Sequence, residues 1–87
     1  MDGYQIFVIG QVNRPGQFSV VRPTDVMQAL SLAGGLTPFG DEDDIKILRR
    51  QGGKQAALSF DYSAVKRGNQ LSMNVVLQPG DVVVVPD

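Results

Sequence analysis

The sequence predicts an α+β domain, a mixed sheet of about five strands packed on one main helix, with a short second helical turn. Three observations carry that prediction. Two separate stretches read as strand, turn, strand; one amphipathic stretch between them has apolar residues at helical spacing; and four consecutive valines, Val82, Val83, Val84 and Val85, stand near the C-terminus.

Residues 4–12 are rich in aromatic and β-branched side chains with Gly10 among them, and Asn13-Arg14-Pro15-Gly16 separates them from a second such run at 17–21. Pro15 presets φ for the first central position of a turn and Gly16 accepts positive φ at the second, so the pair predicts a type II turn and a hairpin. Over residues 24–33 the pattern changes: Val26, Met27, Leu30 and Ala33 recur at helical spacing. Thr24 or Asp25 is available as N-cap, and Gln28 follows Asp25 at the distance a capping box needs. Gly34-Gly35 ends the helix, because a left-handed residue closes the last turn and glycine has no Cβ to oppose it. Residues 36–40 then cross to the next element as a loop.

After Asp41-Glu42-Asp43-Asp44, residues 45–50 and 55–60 read as strands joined by Gln51-Gly52-Gly53-Lys54, a second hairpin. Residues 61–67 predict a short helical turn capped by Asp61 or Ser63, broken by Gly68-Asn69-Gln70. Val75-Val76-Leu77 begins the last extended segment, and Gln78-Pro79-Gly80-Asp81 turns the chain once more. The valine run is too uniformly β-branched for an exposed edge and predicts a central strand buried on both faces. The helix needs a sheet face on which to bury Leu30 and its neighbours. Hairpin, helix, hairpin, helical turn and final strand together predict a β-grasp (ubiquitin-like) arrangement.

Composition bounds the function. The chain has 87 residues, 43% of them apolar and 20% charged, with a net charge of −1, which fits one domain over residues 1–87 with a single core. It starts directly on a strand and stops directly after another, which reads as a piece excised from a longer protein carrying its targeting elsewhere. Met1-Asp2-Gly3 is followed at once by strand-like sequence, so no signal peptide is expected in this stretch. No apolar run approaches the roughly 20 residues that span a bilayer, so direct membrane contact by this domain is not expected. Eight Lys plus Arg face nine Asp plus Glu without a basic block, which argues against a nucleic-acid partner.

Histidine and cysteine are both absent. That removes the usual proton shuttle, thiol nucleophile, disulfides and thiolate metal ligands, so no catalysis, no cofactor and no metal are expected. The acidic run at 41–44 lacks the alternating spacing of a calcium loop and reads as a solvated loop. Gly34-Gly35 follows a helix, whereas a phosphate cradle precedes one, so these glycines are a stop signal. Gly52-Gly53 needs only turn chemistry. Pro15, Gly16, Gly34, Gly35, Pro79, Gly80 and Asp81 are thus read as structural turns and caps.

Four residues are candidates for ligand contact. Asn13 and Arg14, at a hairpin tip, offer amide and guanidinium donors suited to sugar hydroxyls or to a neighbouring subunit's carboxylates, although a plain turn accounts for them more simply. Phe39 and Tyr62 are each able to stack on a sugar ring; core filling is the commoner use of an aromatic in a small domain. Arg49 and Arg50, Lys66 and Arg67, and Asn69 with Gln70 read as ordinary solvated surface.

Three blocks recur in one order: Val8-Ile9-Gly10-Gln11-Val12-Asn13-Arg14-Pro15-Gly16; Val26 to Leu30 with Ala33-Gly34-Gly35-Leu36-Thr37; and Leu77-Gln78-Pro79-Gly80-Asp81 with Val84-Val85-Pro86. Together they resemble the soluble ligand-binding β-grasp (SLBB) domain. They are most similar to its copies in bacterial outer-membrane proteins that export capsule and exopolysaccharide and build periplasmic rings. The resemblance implies a non-catalytic module of an export protein on the periplasmic face of the outer membrane. Its expected partners are other copies of the full-length protein in a ring, with polysaccharide as a further contact. Similar domains occur in vitamin carriers, respiratory-complex subunits and DNA-uptake proteins; the lack of cysteine argues against a cluster-bearing setting and the near-neutral charge against DNA. The alternative is a stand-alone domain that binds a soluble saccharide or small ligand, for which a concave site with an aromatic wall would speak. A third reading, a ubiquitin-like adaptor, would show an exposed apolar patch on its sheet.

Overall fold

The structure, a computed structural model, describes residues 3–87. Met1 and Asp2, which open the predicted single-domain span and carry part of the leader argument, lie outside the described residues. The elements are β1 (Tyr4–Gly10), β2 (Gly16–Val20), α1 (Val26–Leu32), β3 (Ile45–Gln51), β4 (Lys54–Phe60), α2 (Tyr62–Lys66), a 3-10 turn (Leu71–Met73) and β5 (Val82–Val85). The five strands form one mixed sheet in the order β2-β1-β5-β3-β4, in which only β1 and β5 are parallel. Fold class and the order of strands and α-helices are those the sequence predicts, and the arrangement is β-grasp-like.

Strand alternation decides which face is the core. Ile6 and Val8 of β1, Ile45 and Ile47 of β3, Phe60 of β4 and Val83 and Val85 of β5 point to one face and are buried. Val26, Ala29 and Leu30 of α1 and Val65 of α2 close over them in one cluster. Burying a side chain of this kind contributes about 1.5–3 kcal/mol.

The predicted helix signals act as read. Asp25 is the N-cap, its carboxylate accepting from the Gln28 amide at 2.8 Å while the Gln28 side chain accepts from the Asp25 amide at 3.0 Å. At the other end the Gly35 amide donates to the Leu30 carbonyl at 2.9 Å and the Gly34 amide to Ser31 at 3.0 Å, the Schellman pattern, with both glycines at positive φ. Of the two candidate caps for α2, Asp61 is used, accepting from the Ala64 amide at 3.1 Å.

Three expectations are corrected. β5 is central, but it is not buried on both faces: Val82 and Val84 remain half-buried because α1 and α2 both pack on the opposite side. Pro15-Gly16 does not make a type II turn; Gly16 has φ 150°, well away from the roughly +80° such a turn requires, and is already the first residue of β2, opposite Val8. The segment Val75-Val76-Leu77, read as extended, lies outside the five strands of the sheet. It runs beside the start of α1, bridging Asp25 through Val76, with the Leu77 amide donating to Thr24 at 2.8 Å. The 3-10 turn before it had no signal in the sequence. Finally, β1 stops at Gly10 rather than Val12. A Cβ at Gly10 would lie 2.1 Å from the Val85 carbonyl oxygen, and its φ is 94°, so this close pairing of β1 with β5 requires glycine.

The Gln78-Pro79-Gly80-Asp81 turn forms as expected. The Asp81 amide donates to Gln78 at 3.0 Å, and Gly80 has the positive φ of 84° that a type II turn places at that position.

Candidate functional site

The Schellman end of α1 is the base on which a site is assembled. Its glycines leave their carbonyls facing the β1–β2 connection, which supplies donors: the Asn13 amide reaches Gly35 at 3.0 Å and the Arg14 amide reaches Ala33 at 2.7 Å. The Asn13 side chain repeats the interaction, its Nδ2 donating to Gly34 at 2.7 Å and to Gly35 at 3.3 Å. Val12 bridges Leu36, and the Thr37 hydroxyl donates to the Gln11 side-chain oxygen at 2.9 Å. Asn13 and Arg14 therefore sit in a loop sewn to the helix terminus, not at a free hairpin tip. The Arg14 guanidinium lies beside Gly34, its Nε 3.3 Å from where a Cβ would stand, and it makes no ion pair among the described residues.

Tyr62 approaches the same helix end from α2. Its amide donates to the Glu42 carbonyl at 2.8 Å, and the Asp61 cap fixes the first turn around it. The ring packs partly on the core, and the Lys66 ammonium sits 5.4 Å from its centroid. Between α1 and Tyr62 runs an open groove of about 400 Å³ lined by Met27, Leu30, Ser31, Gly34, Gly35 and Tyr62. Its floor is apolar, one wall is aromatic, and Ser31 contributes a hydroxyl. That volume lies within the roughly 300–1,000 Å³ usual for small-molecule sites. A smaller cleft of about 270 Å³, lined by Arg22, Pro23, Thr24, Gln28, Ser31 and Leu32, lies on another side of α1.

Of the four predicted ligand contacts, three meet at Gly34-Gly35: Asn13 and Arg14 abut it and Tyr62 faces it across the groove. Phe39 stands apart. It is 77% exposed in the loop after the helix and is neither a core residue nor part of the groove wall.

Arg49 is not the solvated charge the sequence suggests. Its Nη2 lies 2.8 Å from Asp81 Oδ2, its Nε donates to both carboxylate oxygens at 3.2 and 3.3 Å, and Nη2 also reaches the Val76 carbonyl at 3.2 Å. Asp81 is buried and further accepts from the Gln78 amide at 2.8 Å. This bidentate pair ties β3 to the turn before β5 and to residue 76. A signal did exist: Arg49 shares the strand parity of Ile45 and Ile47, and a cation on the core face of a strand demands a partner.

The acidic loop remains solvated. Asp43 has its carboxyl pKa raised from its ordinary value by desolvation first, then by the charge of Asp61 and a hydrogen bond with it, and by the carboxylates of Asp41 and Glu42. No group of three or more metal-ligating side chains occurs among the described residues. The face of the sheet away from the helices carries Phe7, Ile9, Leu48, Val82 and Val84, half-buried except for the more exposed Ile9. No helix among the described residues is long and apolar enough to cross a membrane.

In comparison with protein families, the family model described as SLBB domain matches residues 5–58, more than half of the chain. The matched span includes Asn13, Arg14, Gly34 and Gly35 and stops short of Tyr62. The usual setting of this domain is polysaccharide export.

Proposed function

Because the chain belongs to the SLBB domain family, whose members are soluble ligand-binding modules, we propose that it is a non-catalytic part of a polysaccharide export protein. In this reading it works on the periplasmic face of the outer membrane, joins copies of the full-length protein in a ring and touches the exported polymer. The observation that carries the reading is the groove at the Schellman end of α1, with Tyr62 as its wall and Arg14 at its rim. An aromatic ring offers a face to the C–H surface of a sugar, while Ser31 and the Arg14 guanidinium, without an ion pair among the described residues, offer hydrogen bonds to hydroxyls. An open site of this kind holds a polymer segment weakly. Transport requires that: contacts along a path must be favourable enough to admit the polymer and weak enough to release it.

Chemistry at the groove is not part of the proposal. The chain has no histidine or cysteine, and no acid–base pair lines the groove. The same groove also suits a stand-alone domain that captures a soluble saccharide or small ligand. Whether the parent protein assembles separates the two readings.

The test is an NMR titration of the labelled domain with bacterial polysaccharide fragments. Saturable shifts at Ser31, Gly34, Gly35 and Tyr62, weakened in Arg14→Ala and Tyr62→Ala, are the expected result. Amides that stay still at millimolar sugar would remove polymer contact from the domain's role.

A further inference from the structure

Taking the ring as premise, we propose that successive copies join through their strand edges, β4 of one copy against β2 of the next, so that the sheet continues across the contact. Topology makes this pairing available. With the order β2-β1-β5-β3-β4 and only β1 and β5 parallel, the two edge strands run in opposite directions. Copies in a ring differ by a modest rotation that nearly preserves strand direction, so β4 of one copy meets β2 of the next antiparallel. The contact is heterologous, as a closed ring requires.

The free backbone groups can be assigned from the register. The amides of Phe7 and Gln11 donate toward β5, to Asp81 and Val85, which leaves Tyr4, Ile6 and Val8 to exchange hydrogen bonds with Val20, Phe18 and Gly16. Gln17 and Ser19 on β2 therefore turn their backbone groups outward. On the other edge, Gly52-Gly53 joins Gln51 to Lys54 as a hydrogen-bonded pair. Alternation from there leaves Gln55, Ala57 and Ser59 facing outward. All five residues are exposed.

Neither edge is protected. Charged side chains, proline and bulges are the usual safeguards against edge-to-edge pairing, and β2 has none of them, while β4 has only Lys54 at its hairpin end. Setting Ser19 opposite Ala57 places Gln17 opposite Ser59, small or uncharged pairs throughout. The same register brings Phe18 opposite Leu58. Both are partly buried residues at the rim of the core, so the contact extends each core into the next.

The test is a Ser19→Cys/Ala57→Cys double variant of the protein, oxidised and run on a non-reducing gel. Residues in a hydrogen-bonded antiparallel pair have Cα atoms about 5.5 Å apart, within disulfide reach. A ladder of covalent oligomers from the double variant, with each single variant staying monomeric, is expected. A Ser19→Lys/Ala57→Lys variant should keep its circular dichroism spectrum and lose assembly measured by native mass spectrometry of the parent protein. Dimers from Ala57→Cys alone would replace this contact with a two-fold β4–β4 pairing and overturn it. Rings that form in the parent without the cross-link, and survive the lysines, would overturn the edge contact and leave the ring reading standing. A parent that does not assemble at all would bring down the ring reading itself, and the edge contact with it.

Discussion

The two hairpins are built from similar turn residues and end in different circumstances. The connection from β1 to β2 is held from outside by hydrogen bonds to Ala33, Gly34 and Gly35, and its geometry is dictated by the helix end it meets. The connection from β3 to β4 is two glycines at positive φ, with open space around both. This second hairpin is anchored through its body instead, by Arg49. A loop that borders a groove is thus positioned by contacts beyond its own hairpin, whereas a loop that only reverses the chain depends on local backbone freedom.

The sharpest way to break this comparison is to add one methyl group to each hairpin. Gly10→Ala drives a Cβ into the Val85 carbonyl at 2.1 Å, and a loss of about 4 kcal/mol or more in urea unfolding is expected. The matched Gly53→Ala meets nothing and should cost only about 1–2 kcal/mol, from its positive φ. Equal losses would mean that the two hairpins are not differently constrained.

Arg49→Ala comes next. It leaves Asp81 buried without its cation, and an expected loss of about 3 kcal/mol in the same unfolding assay would show that the second hairpin is secured through its body. An effect below about 1 kcal/mol would reduce the pair to an ordinary surface salt bridge.

Asn13→Ala should cost less, about 1 kcal/mol, because its side chain is exposed and two backbone bonds of the loop remain. Its larger effect is expected in the saccharide titration, where the shifts at Gly34 and Gly35 should weaken. Unchanged shifts would separate the loop from the groove.

The smallest effect concerns the acidic loop. Asp43 holds its proton more tightly in the folded chain than its ordinary value of 3.8 allows, so it contributes stability that is present at low pH and lost as pH rises through its raised pKa. Asp43→Asn should raise the melting temperature slightly at neutral pH and leave it unchanged in acid, with the difference shrinking in high salt. A lower melting temperature at neutral pH would contradict this.

Much of the fold was legible because its signals are local. The Asp25–Gln28 capping box, the Gly34-Gly35 stop, the Gly52-Gly53 hairpin and the alternation through Ile45 and Ile47 each lie within a few residues. What escaped depends on partners far along the chain. Pro15-Gly16 reads as a complete turn, yet the helix terminus overrides it. Arg49 and Asp81 are 32 positions apart, and nothing beside either residue announces the other. The groove is similarly divided: Asn13, Arg14 and Tyr62 were identifiable one by one, but their meeting at Gly34-Gly35 follows from where α1 and α2 land on the sheet. Phe39, alike in type to Tyr62, remains outside because its loop has no element to direct it inward.

The parallel pairing of β1 with β5 has a mechanical consequence. Because these central neighbours run the same way, tension entering at Tyr4 and leaving at Val85 pulls them along their length in opposite senses. The bonds between them, including those from Phe7 to Asp81 and from Gln11 to Val85, are then loaded in shear and must fail together instead of unzipping singly. A domain threaded in this way resists stretching at its centre, while its outer strands carry almost none of the load.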